Sequence, residues 1–210
     1  MRGTELAVAK KTLTPRGERT RAALIDAARR VFERDGFQDS RLTDITAAAD
    51  CSTGTFYTYF QSKEEILDAV FEKAHEDMLH PGFPHVQATD DPVAVLAAAN
   101  RAYFEAYRRN AKLRLVLEQV SGISPEFRDK RRARSRDFSE RNARQIERLQ
   151  QDGRADSGID AGRAARALSG MVSRMAYNAF ALGDDPDMDG LVDTATRLWA
   201  NAIKLTARST

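Results

Sequence analysis

The 210-residue sequence predicts an all-α protein, in which a small group of three helices precedes a larger helical bundle. Apolar residues recur at helical spacing along almost the whole chain. No run of β-branched and aromatic residues alternates at period two between turn signals, so the pattern predicts no strand. Glycine and proline cluster at a few points, which separate the helical stretches from one another.

The first helix follows a polar segment that ends near Pro15. Its apolar pattern stops at Gly36, and the apolar Phe37 follows, which is typical of a helix that closes on a left-handed glycine. The apolar face that we expect to be buried consists of Leu24, Ile25, Ala28, Val31 and Phe32.

Two short helices follow. The second helix starts at Ser40 or Arg41, and Asp44 in its first turn suits the helix dipole. Asp50-Cys51-Ser52 interrupts the pattern, and Ser52 provides an N-cap for a third helix from Thr53 to about Phe60. We expect Cys51 to be a packed small apolar residue. The predicted apolar face of the second helix is Leu42, Ile45, Ala48 and Ala49.

A capping box formed by Ser62 and Glu65 opens the fourth helix. The stretch from His80 to Asp91 is interrupted by prolines and is predicted to be the loop that ends it. The predicted apolar face of this helix is Ile66, Leu67, Val70, Phe71, Ala74 and Met78.

Five more helices are predicted near residues 92–110, 111–122, 125–152, 160–183 and 187–207. The last two are apolar over so much of their circumference that they must be covered on more than one side. We expect one side to face the protein's own core and the other to face a second copy of the chain. The predicted homodimer interface comprises Ala164, Leu168, Met171, Leu191, Ala195, Leu198, Trp199 and Ala202.

The composition excludes several classes of protein. A single cysteine cannot form an intramolecular disulfide framework or a four-thiolate zinc site, which indicates a reducing compartment. No stretch reaches the roughly 18 apolar residues of a bilayer span, and the N-terminus lacks the apolar region of a secretion signal. We therefore expect a cytoplasmic protein without a membrane partner. Residues 1–63 carry a net charge of +3, which weakly favours a nucleic-acid partner.

The second and third helices form a helix-turn-helix pattern, in which the second helix of the unit enters the major groove of DNA. The outer face of the third helix offers hydroxyls, methyls and aromatic edges, so we expect recognition through these groups and through DNA shape. Gly54 costs about 1 kcal/mol of helix propensity, which is reasonable where a helix must approach a phosphate or base closely. The candidate contacts are Ser52, Thr53, Gly54, Thr55, Tyr57, Thr58 and Tyr59, with Lys63 as a point charge.

The segment ADCSTGTFYTYFQSKEEI over residues 49–66 resembles the DNA-binding signature of the tetracycline-repressor (TetR) family of bacterial regulators. The resemblance covers about residues 18–72 and includes Gly36-Phe37 and the start of the second helix. It implies phosphate contacts by Tyr57, Tyr59 and Lys63. It also implies that Thr43, Thr53, Gly54, Thr55 and Thr58 approach the DNA backbone or bases.

Two residues depart from the family pattern. Cys51 stands where valine is usual, and Arg41 stands where serine or threonine is frequent, so Arg41 either adds a phosphate contact or weakens a cap. Arg41 and the basic residues of the N-terminal arm (Lys10, Lys11, Arg16 and Arg19) are expected to supply much of the electrostatic attachment. The predicted organisation is a flexible basic arm over residues 1–17, a DNA-binding domain over 18–63 and a regulatory ligand-binding and dimerisation domain over 64–210.

Methionine and aromatic residues are concentrated in the regulatory part. Core packing accounts for most of them individually, but together such residues also line adaptable apolar cavities. We therefore expect a hydrophobic effector, and an effector with an anionic tail is a second option. The predicted pocket residues are Phe71, Met78, Tyr103, Phe104, Tyr107, Leu117, Val120, Met171, Met175 and Tyr177.

Other chemistry is disfavoured. His75, His80 and His85 are spaced five apart, which does not place them on one helix face, so neither a metal nor another cofactor is predicted. The arginine-rich stretch over residues 128–136 has interleaved acids and indicates a solvated amphipathic helix. No constellation of catalytic residues occurs at a suitable spacing, so we predict a protein that is not an enzyme.

The sequence thus predicts a homodimeric repressor that an effector releases from a pseudo-palindromic operator. Two alternatives stay open. One is an architectural DNA-binding protein without an effector, and the other is an activator with the same fold.

Overall fold

The computed structural model describes residues 13–79, 91–184 and 187–206. Over these ranges the chain is helical and contains no strand, which confirms the all-α prediction. The helices are α1 (Pro15–Asp39), α2 (Leu42–Ala48), α3 (Thr53–Tyr59), α4 (Lys63–Leu79), α5 (Pro92–Arg109), α6 (Ala111–Ile123), α7 (Pro125–Gln151), α8 (Ala161–Ala176) and α9 (Met188–Ala202). A π-helical segment, Tyr177–Leu182, continues α8.

The chain forms two compact units, Met1–Phe71 and Glu72–Thr210, and the division between them falls inside α4. None of the helices in the described residues combines the length and apolarity that a membrane span requires. The predicted loop from His80 to Asp91 lies outside the described residues except for Asp91, which caps α5 by accepting from the Val93 amide.

The N-terminal unit is built around α1, whose predicted face is buried throughout. Gly36 has φ 76°, so the first helical stretch ends on a left-handed glycine, as predicted. Beyond it the Phe37 ring lies 5.7 Å from the ring of Phe32 between centroids. Thr14 caps the start of α1, where its hydroxyl oxygen accepts from the Gly17 amide at 3.2 Å.

The predicted apolar face of α2 is wrong at one position. Ile45 is buried as expected, but Ala48 is exposed and Thr46 is buried in its place. The helix has only seven residues and ends directly after Ala48, whose carbonyl accepts from the Arg30 guanidinium at 3.1 Å. The last turn therefore contacts α1 through its backbone, and the methyl group of Ala48 points to solvent.

The second unit has one continuous apolar core formed mainly by α5, α8 and α9, to which Ile146 of α7 contributes. Two side-chain pairs tie its helices together: Asn100 donates to the Thr196 hydroxyl at 3.1 Å, and Asn142 donates to the Ser169 hydroxyl at 2.9 Å. Buried polar groups of this kind fix helix register because a shift would leave them without partners.

One predicted helix in this unit changes type before its predicted end, and one ends earlier than predicted. The α-helix predicted to continue to residue 183 changes to π-helical geometry after Ala176, and Gly183, with φ 79°, ends the segment. The last helix ends at Ala202 instead of near residue 207, because Lys204 adopts φ 48° and the chain turns back. The amide of Thr206 then donates to the Arg154 carbonyl at 3.0 Å. These bonds to a distant loop leave no signal in the local sequence.

Candidate nucleic-acid interface and effector region

A tight backbone turn joins α2 to α3. Asp50 has φ 50°, and the Cys51 amide donates to the Thr46 carbonyl at 3.0 Å, so the turn closes α2 with a left-handed residue at its C-terminal end. Burial raises the pKa of the half-buried Cys51 thiol, and the neighbouring Asp50 carboxylate raises it further. A thiol with a raised pKa is a poor nucleophile at neutral pH, which agrees with a packing role.

Ser52 caps α3 as predicted: its hydroxyl oxygen accepts from the Thr55 amide at 3.1 Å. The same oxygen lies 3.0 Å from the Thr55 hydroxyl, and the Thr58 hydroxyl donates to the Gly54 carbonyl at 3.2 Å. The hydroxyls of Ser52, Thr55 and Thr58 thus have partners within the helix and its cap, and the residues of the helix N-terminus are exposed.

Gly54 is not required by packing inside the chain. A Cβ atom added at this position would meet only the Ser52 hydroxyl oxygen, at 3.7 Å, which is an ordinary contact. The exposed helix surface at Gly54 therefore leaves room for an external group to approach the backbone.

The aromatic residues of α3 separate into two faces. Phe56 and Phe60 are buried, whereas the Tyr57 side chain is 59% exposed and touches the ring of Phe56 only edge-on. Tyr59 is half-buried, and its hydroxyl lies 3.5 Å from the position of a Cβ atom added to Gly17, a buried residue at the start of α1. Tyr57 is thus the large side chain that α3 presents to solvent.

The ammonium group of Lys63 is bonded inside the N-terminal unit. It donates to the carbonyls of Phe37 at 2.6 Å and of Ser40 at 2.9 Å, and it lies 4.5 Å from the centre of the Phe37 ring. A third carbonyl, that of Gln38, lies at 3.4 Å. Lys63 therefore joins the start of α4 to the turn between α1 and α2, and its predicted phosphate contact stays a prediction.

The start of α4 differs from a regular capping box. The Ser62 hydroxyl accepts from the Glu65 amide at 3.2 Å, as predicted, but the Glu65 carboxylate accepts from the amide of Gln61, at 2.5 Å, instead of that of Ser62. The side chain reaches one residue further back, so it also holds the link between α3 and α4.

The candidate contacts at the start of α2 are exposed. Arg41 occupies the N-cap position without a capping bond from its side chain, and Thr43 is exposed in the first turn. Ser40 is buried, and its hydroxyl donates to the Phe37 carbonyl at 2.8 Å, so it does not cap α2. Arg16 and Arg19 are exposed on α1, whereas Lys10 and Lys11 lie outside the described residues.

Most of the predicted pocket residues share one region of the second unit. Tyr103, Phe104, Tyr107, Met171, Met175 and Tyr177 belong to or pack against its apolar core. Leu117 and Val120 are buried in α6, and Phe71 is buried in α4, while the side chain of Met78 lies outside the described residues. Burial raises the pKa of Tyr107 to about 12.

The predicted dimer residues divide into two groups. Ala164, Leu168, Leu191, Ala195 and Trp199 pack inside the core of their own chain, which explains their apolar character without a partner. Leu198 is 46% exposed, Ala202 is exposed and Met171 is half-buried. An interface on these helices would therefore depend on the smaller second group.

The described residues contain no group of three or more His, Cys, Asp or Glu that could hold a metal ion. His75 is half-buried in α4, and His80 and His85 lie outside the described residues. Burial lowers the pKa of His75, and Arg134, Arg114 and Arg141 lower it further, whereas Glu72 acts in the opposite direction.

Sequence reasoning missed two features of this region. Gly17, beside Tyr59, was not singled out, although the Thr14-Pro15 pair before it is a cap signal. The intramolecular role of Lys63 also went unnoticed, because its partners are backbone carbonyls some 25 residues away in the chain, at Phe37, Gln38 and Ser40.

Comparison with known proteins gives two family matches. Residues 24–70 match the family described as bacterial regulatory proteins, tetR family, and residues 96–204 match the C-terminal domain of the transcriptional regulator EthR. The first match contains the helix-turn-helix, and the second covers half of the chain.

Individual relatives agree with these matches over most of the chain. The HTH-type transcriptional regulator EthR of Mycolicibacterium smegmatis is 26% identical, covering 94% of this chain and 96% of that protein. The structure of SmeT, the repressor of the Stenotrophomonas maltophilia multidrug efflux pump SmeDEF, has a TM-score of 0.70 at 25% identity, covering 90% of this chain and 91% of SmeT. A complex of SmeT with triclosan has a TM-score of 0.71 at 26% identity and covers 88% and 91% of the two chains.

Proposed function

Since this chain belongs to the TetR family of bacterial regulatory proteins and is a transcriptional regulator, we propose that it is a homodimeric repressor released from operator DNA by a small amphipathic or hydrophobic effector. The observation that carries the DNA-binding part is the capped helix α3, with Gly54 open and Tyr57 mostly exposed on its outer face. The relatives of this chain are transcriptional regulators, which are not enzymes. A protein that binds chromosomal DNA acts in the bacterial cytoplasm.

The DNA contacts divide into two groups by their exposure and chemistry. Thr53 and Thr55 lie in the N-terminal half of α3, the part of a recognition helix that meets base edges, and the exposed Tyr57 follows them one turn after Thr53. Arg41, Thr43, Ser52, Gly54, Thr58, Tyr59 and Lys63 complete the proposed interface, with the exposed arginines of α1 adding sequence-independent attraction to phosphates.

The proposed dimer places two such helices about one turn of DNA apart, which requires a pseudo-palindromic operator. We assign the contact between copies to the exposed residues of α8 and α9, with Leu198 at its centre. A second chain on this surface would cover an apolar side chain that the first chain leaves in water.

The effector part of the proposal rests on the aromatic and methionine side chains of the second unit, and on the triclosan complex of the relative SmeT. An effector that binds there must prefer the conformation that cannot bind DNA, because a ligand shifts an equilibrium only by its differential affinity. Helix α4 runs from the first unit into the second, so it is the element through which we expect the two sites to be coupled.

Titration of the protein–operator complex with triclosan tests this coupling. The expected result is a loss of operator binding that saturates with the same midpoint as triclosan binding measured by calorimetry. Saturable binding of triclosan without any change in operator affinity would contradict the proposal, and would favour a DNA-binding protein whose bundle serves only as a scaffold.

A further inference from the structure

Three backbone carbonyls accept from the ammonium group of Lys63. The oxygens of Phe37 and Ser40 lie 2.6 and 2.9 Å from its nitrogen, and the oxygen of Gln38 lies at 3.4 Å. A lysine ammonium group has three N–H donors and no acceptor, so these three carbonyls use its whole donor capacity. A phosphate oxygen could therefore bind Lys63 only by displacing one of the carbonyls.

The turn that carries these carbonyls suits a cation. It lies at the C-terminal end of α1, where the helix dipole is negative. The ring of Phe37, 4.5 Å from the ammonium nitrogen, adds a cation–π contact. The buried Ser40 hydroxyl donates to the Phe37 carbonyl at 2.8 Å, which holds the turn from its other end. The half-buried ammonium group thus fits this position and stabilises the turn.

One of the three carbonyls sets the backbone of Arg41. The Ser40 carbonyl and the Arg41 amide belong to one planar peptide group, so the bond from Lys63 fixes the orientation of that group. On its other side, the Arg41 carbonyl accepts from the amides of Asp44 and Ile45 at 3.1 and 3.3 Å. The backbone of Arg41 is therefore held on both sides, while its side chain is exposed and makes no capping bond.

The position of Arg41 suits a phosphate contact. It is the N-cap residue of α2, the first helix of the helix-turn-helix, and this helix crosses the DNA backbone in such units. A guanidinium group binds a phosphate through charge-assisted hydrogen bonds that depend on its direction. A backbone that is already fixed lowers the cost of ordering the side chain on binding.

We infer that Lys63 is a positioning residue for DNA binding: through the Ser40 carbonyl it orients Arg41 toward the DNA backbone, and it makes no phosphate contact of its own. The inference rests on the proposed binding of operator DNA and adds the route by which Lys63 contributes to it. Direct contact would make the contributions of Lys63 and Arg41 independent, whereas positioning makes the contribution of Lys63 depend on Arg41.

A double-mutant cycle on the full-length protein tests the inference. The DNA is a duplex that the wild-type protein enriches from a random pool, and fluorescence anisotropy across a salt series gives its affinity. We expect Arg41→Gln and Lys63→Met each to weaken binding about tenfold, as for loss of one charge-assisted contact. The double variant should also lose about tenfold, and its salt slope should fall by about one, as in Arg41→Gln alone.

Two further variants control the cycle. Lys112→Met removes an exposed lysine of α6, in the second unit, and should leave affinity and salt slope unchanged. Lys63→Gln removes the charge but keeps an N–H donor for the carbonyls, so it should retain more affinity than Lys63→Met. It also replaces Lys63→Met in the cycle if circular dichroism melting shows that the methionine variant does not fold.

Additive losses would overturn the inference: about a hundredfold in the double variant, with a fall of about two in the salt slope, indicates two independent phosphate contacts. Equal losses in Lys63→Gln and Lys63→Met, or an unchanged affinity in Arg41→Gln, would overturn it as well. All of these results leave the proposed operator binding intact. A wild-type protein that enriches no sequence would contradict the proposed function, and the inference with it.

Discussion

The carbonyl partners of Lys63 change what its replacement is expected to do. Because the ammonium group donates to the carbonyls of Phe37 and Ser40 in a half-buried position, Lys63→Ala should lower the free energy of unfolding by about 2 kcal/mol. Urea denaturation followed by circular dichroism measures this loss. Lys112→Ala on the exposed surface of α6 is the control and should change stability by less than about 0.5 kcal/mol.

The phosphate contact predicted from the sequence leads to a different expected result for Lys63→Ala. If Lys63 mainly binds phosphate, its replacement should leave stability unchanged and lower the salt dependence of DNA binding by about one counterion. That result would contradict the structural role assigned to the three carbonyl contacts.

Tyr107 provides a pH-dependent test of the core in the second unit. Its pKa is raised from 10.0 to about 12 chiefly by burial, so between these values the folded protein retains a proton that the unfolded chain loses. The contribution of Tyr107 to the free energy of unfolding is therefore fully present below pH 10. It is lost as the pH rises toward 12, which lowers the free energy of unfolding by up to about 3 kcal/mol. Tyr107→Phe should remove this part of the alkaline loss.

Absorbance titration of the phenolate groups checks the prediction directly. The protein has five tyrosines, and one of them should ionise late in the wild type and be absent from the curve of Tyr107→Phe. Ionisation of all tyrosines together near pH 10 in the folded protein would show that Tyr107 is in contact with solvent.

In the turn between α2 and α3, Asp50 occupies a left-handed backbone position that usually favours glycine. Asp50 adopts φ 50°, which glycine adopts without steric cost, so Asp50→Gly should raise the free energy of unfolding by about 1 kcal/mol. Asp50→Ala removes the same carboxylate but keeps the strain, and is expected to give no gain. Thermal melting of the three proteins compares them, and destabilisation by glycine would show that the carboxylate itself holds the turn.

The helices show which ends and helix types the sequence patterns can predict and which they cannot. Local signals located α3 to within a residue, because its Ser52 cap and its buried Phe56 and Phe60 act within one short segment. The π-helical segment after Ala176 and the end of α9 at Ala202 were missed. The end of α9 is accompanied by bonds to a distant part of the chain, such as the bond from Thr206 to Arg154, which local sequence patterns do not contain.

The same distinction applies to the apolar stripes of α8 and α9. A wide apolar face indicates that a helix is covered, but it does not identify the covering element. The structure places Leu168, Leu191 and Trp199 in the intramolecular core and leaves Leu198 at the surface. Helical periodicity thus predicted the burial of Leu168, Leu191 and Trp199, whereas the positions that face solvent could be separated from the core only by the packing of all the helices.

Dimerisation is a property of the whole molecule, and Leu198 offers a direct test. Leu198→Glu places a charge in the proposed interface, so the variant should elute as a monomer in size-exclusion chromatography with light scattering and lose operator binding. Ile123→Glu is the control, because Ile123 is 58% exposed on α6 and lies outside the proposed interface. A Leu198→Glu protein that remains dimeric would contradict the assignment of the interface to this face.

A transcriptional regulator of this kind must bind one DNA sequence in preference to others. Fluorescence anisotropy across a salt series, with the intergenic DNA upstream of its own gene and a scrambled duplex, tests it most directly. We expect a preference of about a thousandfold or more for the native DNA at physiological salt. Equal and steeply salt-dependent binding to both duplexes would contradict sequence-specific binding to the upstream DNA, since it would show that phosphates alone are recognised.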